Sequence, residues 1–61
     1  MTLIEHCRKN GITKEKLEIL ATHMDNDIRE HVHMELGPCE PMAFLERYCE
    51  LDPDFGEMTA W

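Results

Sequence analysis

Pro41-Met42-Ala43-Phe44-Leu45-Glu46-Arg47-Tyr48-Cys49-Glu50-Leu51 is the stretch that decides the fold. Proline suits the first position of a helix, where its missing N–H leaves no bond unmade. Phe44, Leu45, Tyr48, Cys49 and Leu51 then fall on one broad apolar face, with Met42 at its margin. Glu46, Arg47 and Glu50 hold the opposite side. Asp52-Pro53 closes the segment, because the residue before a proline avoids the helical region. A helix over 41–51 with so wide an apolar face must bury it against other elements.

Those elements lie upstream. Ile28, Val32 and Leu36 recur at i, i+4 and i+8, which predicts a helix over 26–36 with Asp25 as its N-cap and Gly37-Pro38 as its stop. Residues 32–36 also alternate like a strand, but a lone strand would have nothing to pair with. Leu17, Leu20, Ala21 and Met24 predict a helix over 14–24, capped by Thr13. Ile12 is placed to pack back on Leu17. Thr2 followed by Glu5 opens a first helix over 3–10. Leu3, Ile4 and Cys7 share a face, Arg8 and Lys9 lie in the last turn, and Gly11 ends it. Residues 52–61 show no period, and Phe55, Met58 and Trp61 are their large apolar members. The expectation is an all-α fold, a single compact bundle of about four short helices with an irregular C-terminal tail. Its connections are short, and packing rather than propensity holds the helices.

Sixty-one residues allow one domain with a thin core, so a pocket enclosing a substrate would remove side chains that the core needs. We therefore expect no enzyme and no cofactor. No apolar run approaches a membrane span, and the N-terminus lacks the basic start and apolar stretch of a signal peptide. The three cysteines, Cys7, Cys39 and Cys49, form no disulfide framework, which fits a reducing, cytoplasmic setting.

Charge is unevenly placed. The net charge is -7. Arg8, Lys9, Lys14 and Lys16 outnumber Glu5 and Glu15 in the first sixteen residues, whereas from Leu17 onward only Arg29 and Arg47 face eleven acids. Such a body repels nucleic acid and attracts basic surfaces.

Several constellations invite chemistry. His31, His33, Cys39 and Cys49 are the best set of soft metal ligands. On a helix, though, His31 and His33 point apart, and no C-x-x-C or H-x-x-x-H spacing exists, so no metal is assigned. Asp27, His31 and Glu35 share a helical stripe, which reads as a paired, solvated face. Cys39 near a helix start is offset by Glu40 beside it and is not read as a nucleophile. The first three helices have the rhythm of a helix-turn-helix. An alternative is thus a DNA-binding regulator using the Arg8 to Lys16 corner, although acids at the start of the third helix would face phosphate.

The reading that results is a small acidic, non-enzymatic protein-binding module, adaptor or regulator, for a larger protein with a basic surface. Glu40, Glu46, Glu50, Asp52 and Asp54 would form the docking face. Met34, off the core stripe, and the aromatic Phe55 and Trp61 would be its apolar contacts. A sharper alternative is an acidic inhibitor that occupies the cationic groove of a nucleic-acid-binding protein. Homodimerisation is compatible with each reading.

Overall fold

A computed structural model describes residues 1–58 and consists of helices α1 (Leu3–Asn10), α2 (Lys14–Ala21), α3 (Asn26–Leu36), α4 (Pro41–Leu51) and α5 (Pro53–Gly56). The all-α bundle of four principal helices is the expected one. The fifth, a single turn, lies within the stretch read as a tail without period.

The starts of α1, α2 and α3 follow from a short side chain. The Thr2 hydroxyl accepts from the Glu5 N–H at 3.3 Å, and the Thr13 hydroxyl from the Lys16 N–H at 3.1 Å. The Asp25 carboxylate accepts from the N–H groups of Asp27 and Ile28, at 2.9 and 3.1 Å. These bonds satisfy donors that a helix start leaves without partners. Helix α4 lacks a side-chain cap and opens on Pro41 instead. Gly11 and Gly37 end α1 and α3 with φ of 78° and 64° and extended ψ, a region open essentially to glycine.

Helix α2 is shorter than the apolar spacing predicts, stopping at Ala21 rather than at residue 24. Beyond it, the N–H groups of Thr22, His23 and Met24 bond to the carbonyls of Ile19, Leu20 and Ala21, each three residues back. The chain thus tightens into turns while keeping Met24 pointed inward, 6% exposed. Two interactions favour the early stop. The Thr22 hydroxyl donates to the Ile19 carbonyl, and the Arg29 guanidinium reaches back from α3 to the Ala21 carbonyl at 3.1 Å.

Helix α4 is the hub and packs against all four other helices. Leu45 and Tyr48 are fully buried and Phe44 nearly so. Around them lie Leu3 and Cys7 of α1, Leu20 of α2, Met24, Val32 of α3 and Phe55 of α5. Two residues assigned to apolar stripes lie nearer the surface. Leu36 and Leu51, each in the last turn of its helix, are 37% and 38% exposed.

The Tyr48 hydroxyl is the polar centre of this core. It accepts the Asp25 N–H at 2.7 Å and donates to Asp52 Oδ2 at 3.0 Å, while the Tyr48 ring meets Phe55 edge-on at 5.0 Å. One side chain thereby ties the start of α3 to the end of α4 and to α5. Burial, reinforced by Asp52, raises its pKa above the ordinary phenol value, so the proton that makes the second bond is held.

Helix α5 folds back because Pro53 turns the chain and Gly56 admits close contact. A Cβ at Gly56 would lie 2.9 Å from Cys49 Sγ and 3.1 Å from its Cβ. Just beyond, the Leu3 N–H donates to the Met58 carbonyl at 2.7 Å, so the two ends of the described chain meet.

Tyr48→Phe keeps the ring and removes both bonds, leaving the Asp25 N–H without its acceptor. We expect a loss of about 1–3 kcal/mol in urea denaturation. A domain of this size has only about 3–9 kcal/mol in total. A variant as stable as the parent would show that the hydroxyl bonds do not hold the core.

Candidate functional site

The acids proposed for docking divide into two kinds. Glu46, Glu50 and Asp52 are already engaged within the fold. Glu46 pairs with Arg8 at 2.7 Å across α4 and α1, Glu50 pairs with Arg47 at 2.8 Å, and Asp52 accepts from Tyr48. Glu40 and Asp54 are exposed, and among the described residues neither takes part in an ion pair. Among the described residues Met34 is the most exposed large apolar one, at 86%, on the outer side of α3 with Asp27, Glu30 and His31. The role given to Phe55 needs correction. It is 6% exposed and packed on Tyr48, because Pro53 turns the chain inward, so its surface belongs to the core and not to a partner. Trp61 lies outside the described residues.

The arginines are equally committed. Arg47 bridges Glu35 on α3 and Glu50 on its own helix. Arg29 bonds the Ala21 carbonyl and Asn26 Oδ1. Arg8, within the basic corner read as a phosphate contact, is held by Glu46, and that bond raises its pKa further. His31 Nε2 lies 3.5 Å from Glu35 Oε2, so the expected stripe forms, but Glu35 belongs mainly to Arg47. Hydrogen bonds from Arg47, more than its charge or that of His31, hold the Glu35 carboxyl below the usual carboxylate value.

Among the described residues no three His, Cys, Asp or Glu side chains are arranged to hold a metal ion. The four ligand candidates are dispersed. His31 and His33 leave α3 in different directions. Cys39 is exposed in the loop before α4. Cys49 is half-buried under Gly56. Burial and, secondarily, Glu46 push the Cys49 thiol up to about 11, and burial also raises Cys7.

One feature has no counterpart in the sequence reading. Helices α2 and α3 both rest on α4 and make few contacts with each other. Between them opens a groove of about 770 Å³. Leu17, Ala21, Pro38 and Phe44 supply apolar surface, Glu18 and Glu30 stand on opposite walls, and Lys14, Arg29 and His33 also reach it. His33 meets the Phe44 ring edge-on at 6.2 Å. Leu17, Ala21 and Phe44 read as core positions from periodicity, and their stripes are indeed apolar. Whether two such stripes close on each other depends on helix crossing, which spacing does not encode.

Every residue lining this groove lies between positions 14 and 44. Residues 9–51, more than two thirds of the chain, match the family model described as Anti-CRISPR protein AcrIC5. The chain belongs to this family. The matched stretch contains all of α2, α3 and α4, and hence the whole groove. Asp52, Asp54, Phe55 and Trp61 fall beyond it. No curated protein and no solved structure matches the chain. Among the described residues no helix is long and apolar enough to cross a membrane.

Two measurements follow from these surroundings. Near neutral pH a thiol reagent should modify Cys39 first, with Cys49 and Cys7 reacting at least about tenfold more slowly, because both are held as thiols and shielded. Peptide mapping of a timed reaction reads this directly, and equal rates would contradict the packing around Cys49. The Glu35 carboxyl has a lowered pKa in the fold. Its pairing therefore contributes stability above the unfolded carboxylate pKa and loses it as pH falls through the lowered value. Glu35→Gln should flatten the acid limb of a stability-against-pH curve. An unchanged acid limb would mean the Arg47 pair is not felt.

Proposed function

We propose that the protein is an inhibitor of a CRISPR system that acts by binding, not by catalysis. Its acidic body would occupy the cationic surface on which an effector protein holds nucleic acid. Family membership supports the class of target. The observation that carries the mechanism is the placement of charge. Eleven acids lie from Leu17 onward, and the two arginines among them are engaged inside the fold, Arg47 with Glu35 and Glu50, Arg29 with Ala21 and Asn26. Glu18, Asp27, Glu30, Glu40 and Asp54 are left exposed to solvent.

A surface of this kind competes with phosphate for lysine and arginine. Complementary charge speeds encounter and fixes orientation, and salt screens it over about 10 Å at 0.1 M ionic strength. The same charge opposes direct DNA binding, since the corner from Arg8 to Lys16 is small and Arg8 is spent on Glu46. The larger protein with a basic surface is, in this reading, the effector itself. A folded chain with no need of a pocket for chemistry suits the task.

The first test is biological. Expressed in bacterial strains that each carry one active CRISPR system, the chain should restore plaque formation by a targeted phage in at least one. The purified effector from that strain should then bind the chain and lose its nucleic acid. Raising NaCl from about 50 to about 500 mM should weaken binding at least about tenfold. Neutralising Glu18, Glu30 and Glu40 to glutamine should do the same with little change in melting temperature. Binding indifferent to salt and to these substitutions would overturn the acidic-docking mechanism.

A further inference from the structure

Helices α1 and α4 each carry a thiol that the acidic surface does not use. Cys7 is buried and Cys49 half-buried. We propose that the two form an oxidisable pair, which stays open as thiols in a reducing setting and closes to a disulfide under an oxidant, clasping the N-terminal helix to the hub. Such a clasp is independent of the inhibitor reading.

Two contacts fix how α1 lies on α4. Arg8, the residue after Cys7, reaches Glu46, one turn before Cys49, at 2.7 Å. Nearer the start of α1, Ile4 and Cys49 meet at the same point. A Cβ at Gly56 would lie 2.9 Å from Cys49 Sγ and 3.6 Å from Ile4 Cβ. The helices therefore run antiparallel, and residues 4–8 of α1 lie alongside residues 46–49 of α4. Cys7 falls within that span, one turn from Ile4 and on the same side of its helix. It points inward, at 1% exposed, and Cys49 packs against the same buried cluster. Charge on one sulfur is also felt at the other. After burial and Glu46, Cys7 is the next cause that raises the Cys49 pKa, an effect that fades with distance. Cys39 precedes the opposite end of α4 and has no place in the pair.

Closure needs the two Cβ atoms about 3.5–4.5 Å apart. Helix α1, two turns long and joined to α2 through Gly11, can take up the adjustment this requires. The step is an exchange with a small disulfide such as oxidised glutathione. Cys49, the more accessible thiol, loses its proton, attacks one sulfur and releases the first glutathione thiolate. Cys7 then loses its proton, displaces the second glutathione from Cys49 and closes the bond. The protein is oxidised by two electrons, the reagent is reduced by two, and both protons end on the released thiols. Burial holds the two cysteines as thiols at neutral pH, so the step is slow and the pair stays open until oxidant persists. The closed loop takes in α2, α3 and most of α4, so the bond restricts the unfolded chain and stabilises the fold.

Cys39→Ser removes the exposed thiol and leaves the pair by itself. We would equilibrate this chain with mixtures of reduced and oxidised glutathione at about pH 8.5, folded in buffer and unfolded in urea. Intact mass and peptide mapping identify the products. In the folded chain we expect an intramolecular Cys7–Cys49 disulfide, favoured at least about tenfold over the same disulfide in urea. The oxidised form should melt at least about 5 °C above the reduced form. Cys49→Ala in the same background should show no such rise. A disulfide no more favoured in the folded chain than in urea overturns the clasp. So does a glutathione adduct that stops at Cys49, or thiols that stay free throughout.

Discussion

The Tyr48 hydroxyl is the interaction on which the bundle depends. An aromatic ring at the centre of a small core brings a large apolar area, but also a polar atom that must be satisfied there. Here that need organises the molecule. The hydroxyl accepts from the first residue of the α3 cap and donates to the residue between α4 and α5, so three element boundaries are set by one atom. Asp25 uses its own carboxylate for Asp27 and Ile28, and its N–H is taken by Tyr48. The α2–α3 corner, the α4–α5 corner and the core are therefore one cooperative arrangement.

Around that centre the charged residues do two jobs. Arg8, Arg29 and Arg47 fasten helices to one another, by a carboxylate on α4, a carbonyl closing α2, and a carboxylate on α3. Exposed ion pairs are individually weak. Their more important effect is on the surface that remains. Arginines turned to internal use leave outer acids such as Glu40 and Asp54 outside any ion pair among the described residues. In the inhibitor proposed above, that surface is what would meet the effector.

Much of this was legible in the sequence, and the gaps have physical causes. The caps at Thr2, Thr13 and Asp25, the glycine stops at Gly11 and Gly37, and the buried face of α4 are local features that residue type and spacing encode. The end of α2 was not legible, because Met24 keeps the apolar rhythm while the hydrogen bonds shorten from four residues to three. The burial of Phe55 was hidden for a different reason. One turn of helix has no period to detect, and its docking depends on the absence of a side chain at Gly56, seven residues after the cysteine it touches. The acids were visible as a count. Which of them are spent internally depends on Arg8 reaching Glu46 and Arg47 reaching Glu35, contacts 38 and 12 residues apart. The groove arises from helix crossing and leaves no mark in the chain.

The bond from the Leu3 N–H to the Met58 carbonyl has a bearing on how the molecule comes into being. Helix α1 is synthesised before the surfaces it packs against, α4 and α5. So short a helix is marginal alone and waits for those partners to emerge. A chain that stops short of Met58 also lacks the acceptor for the Leu3 N–H.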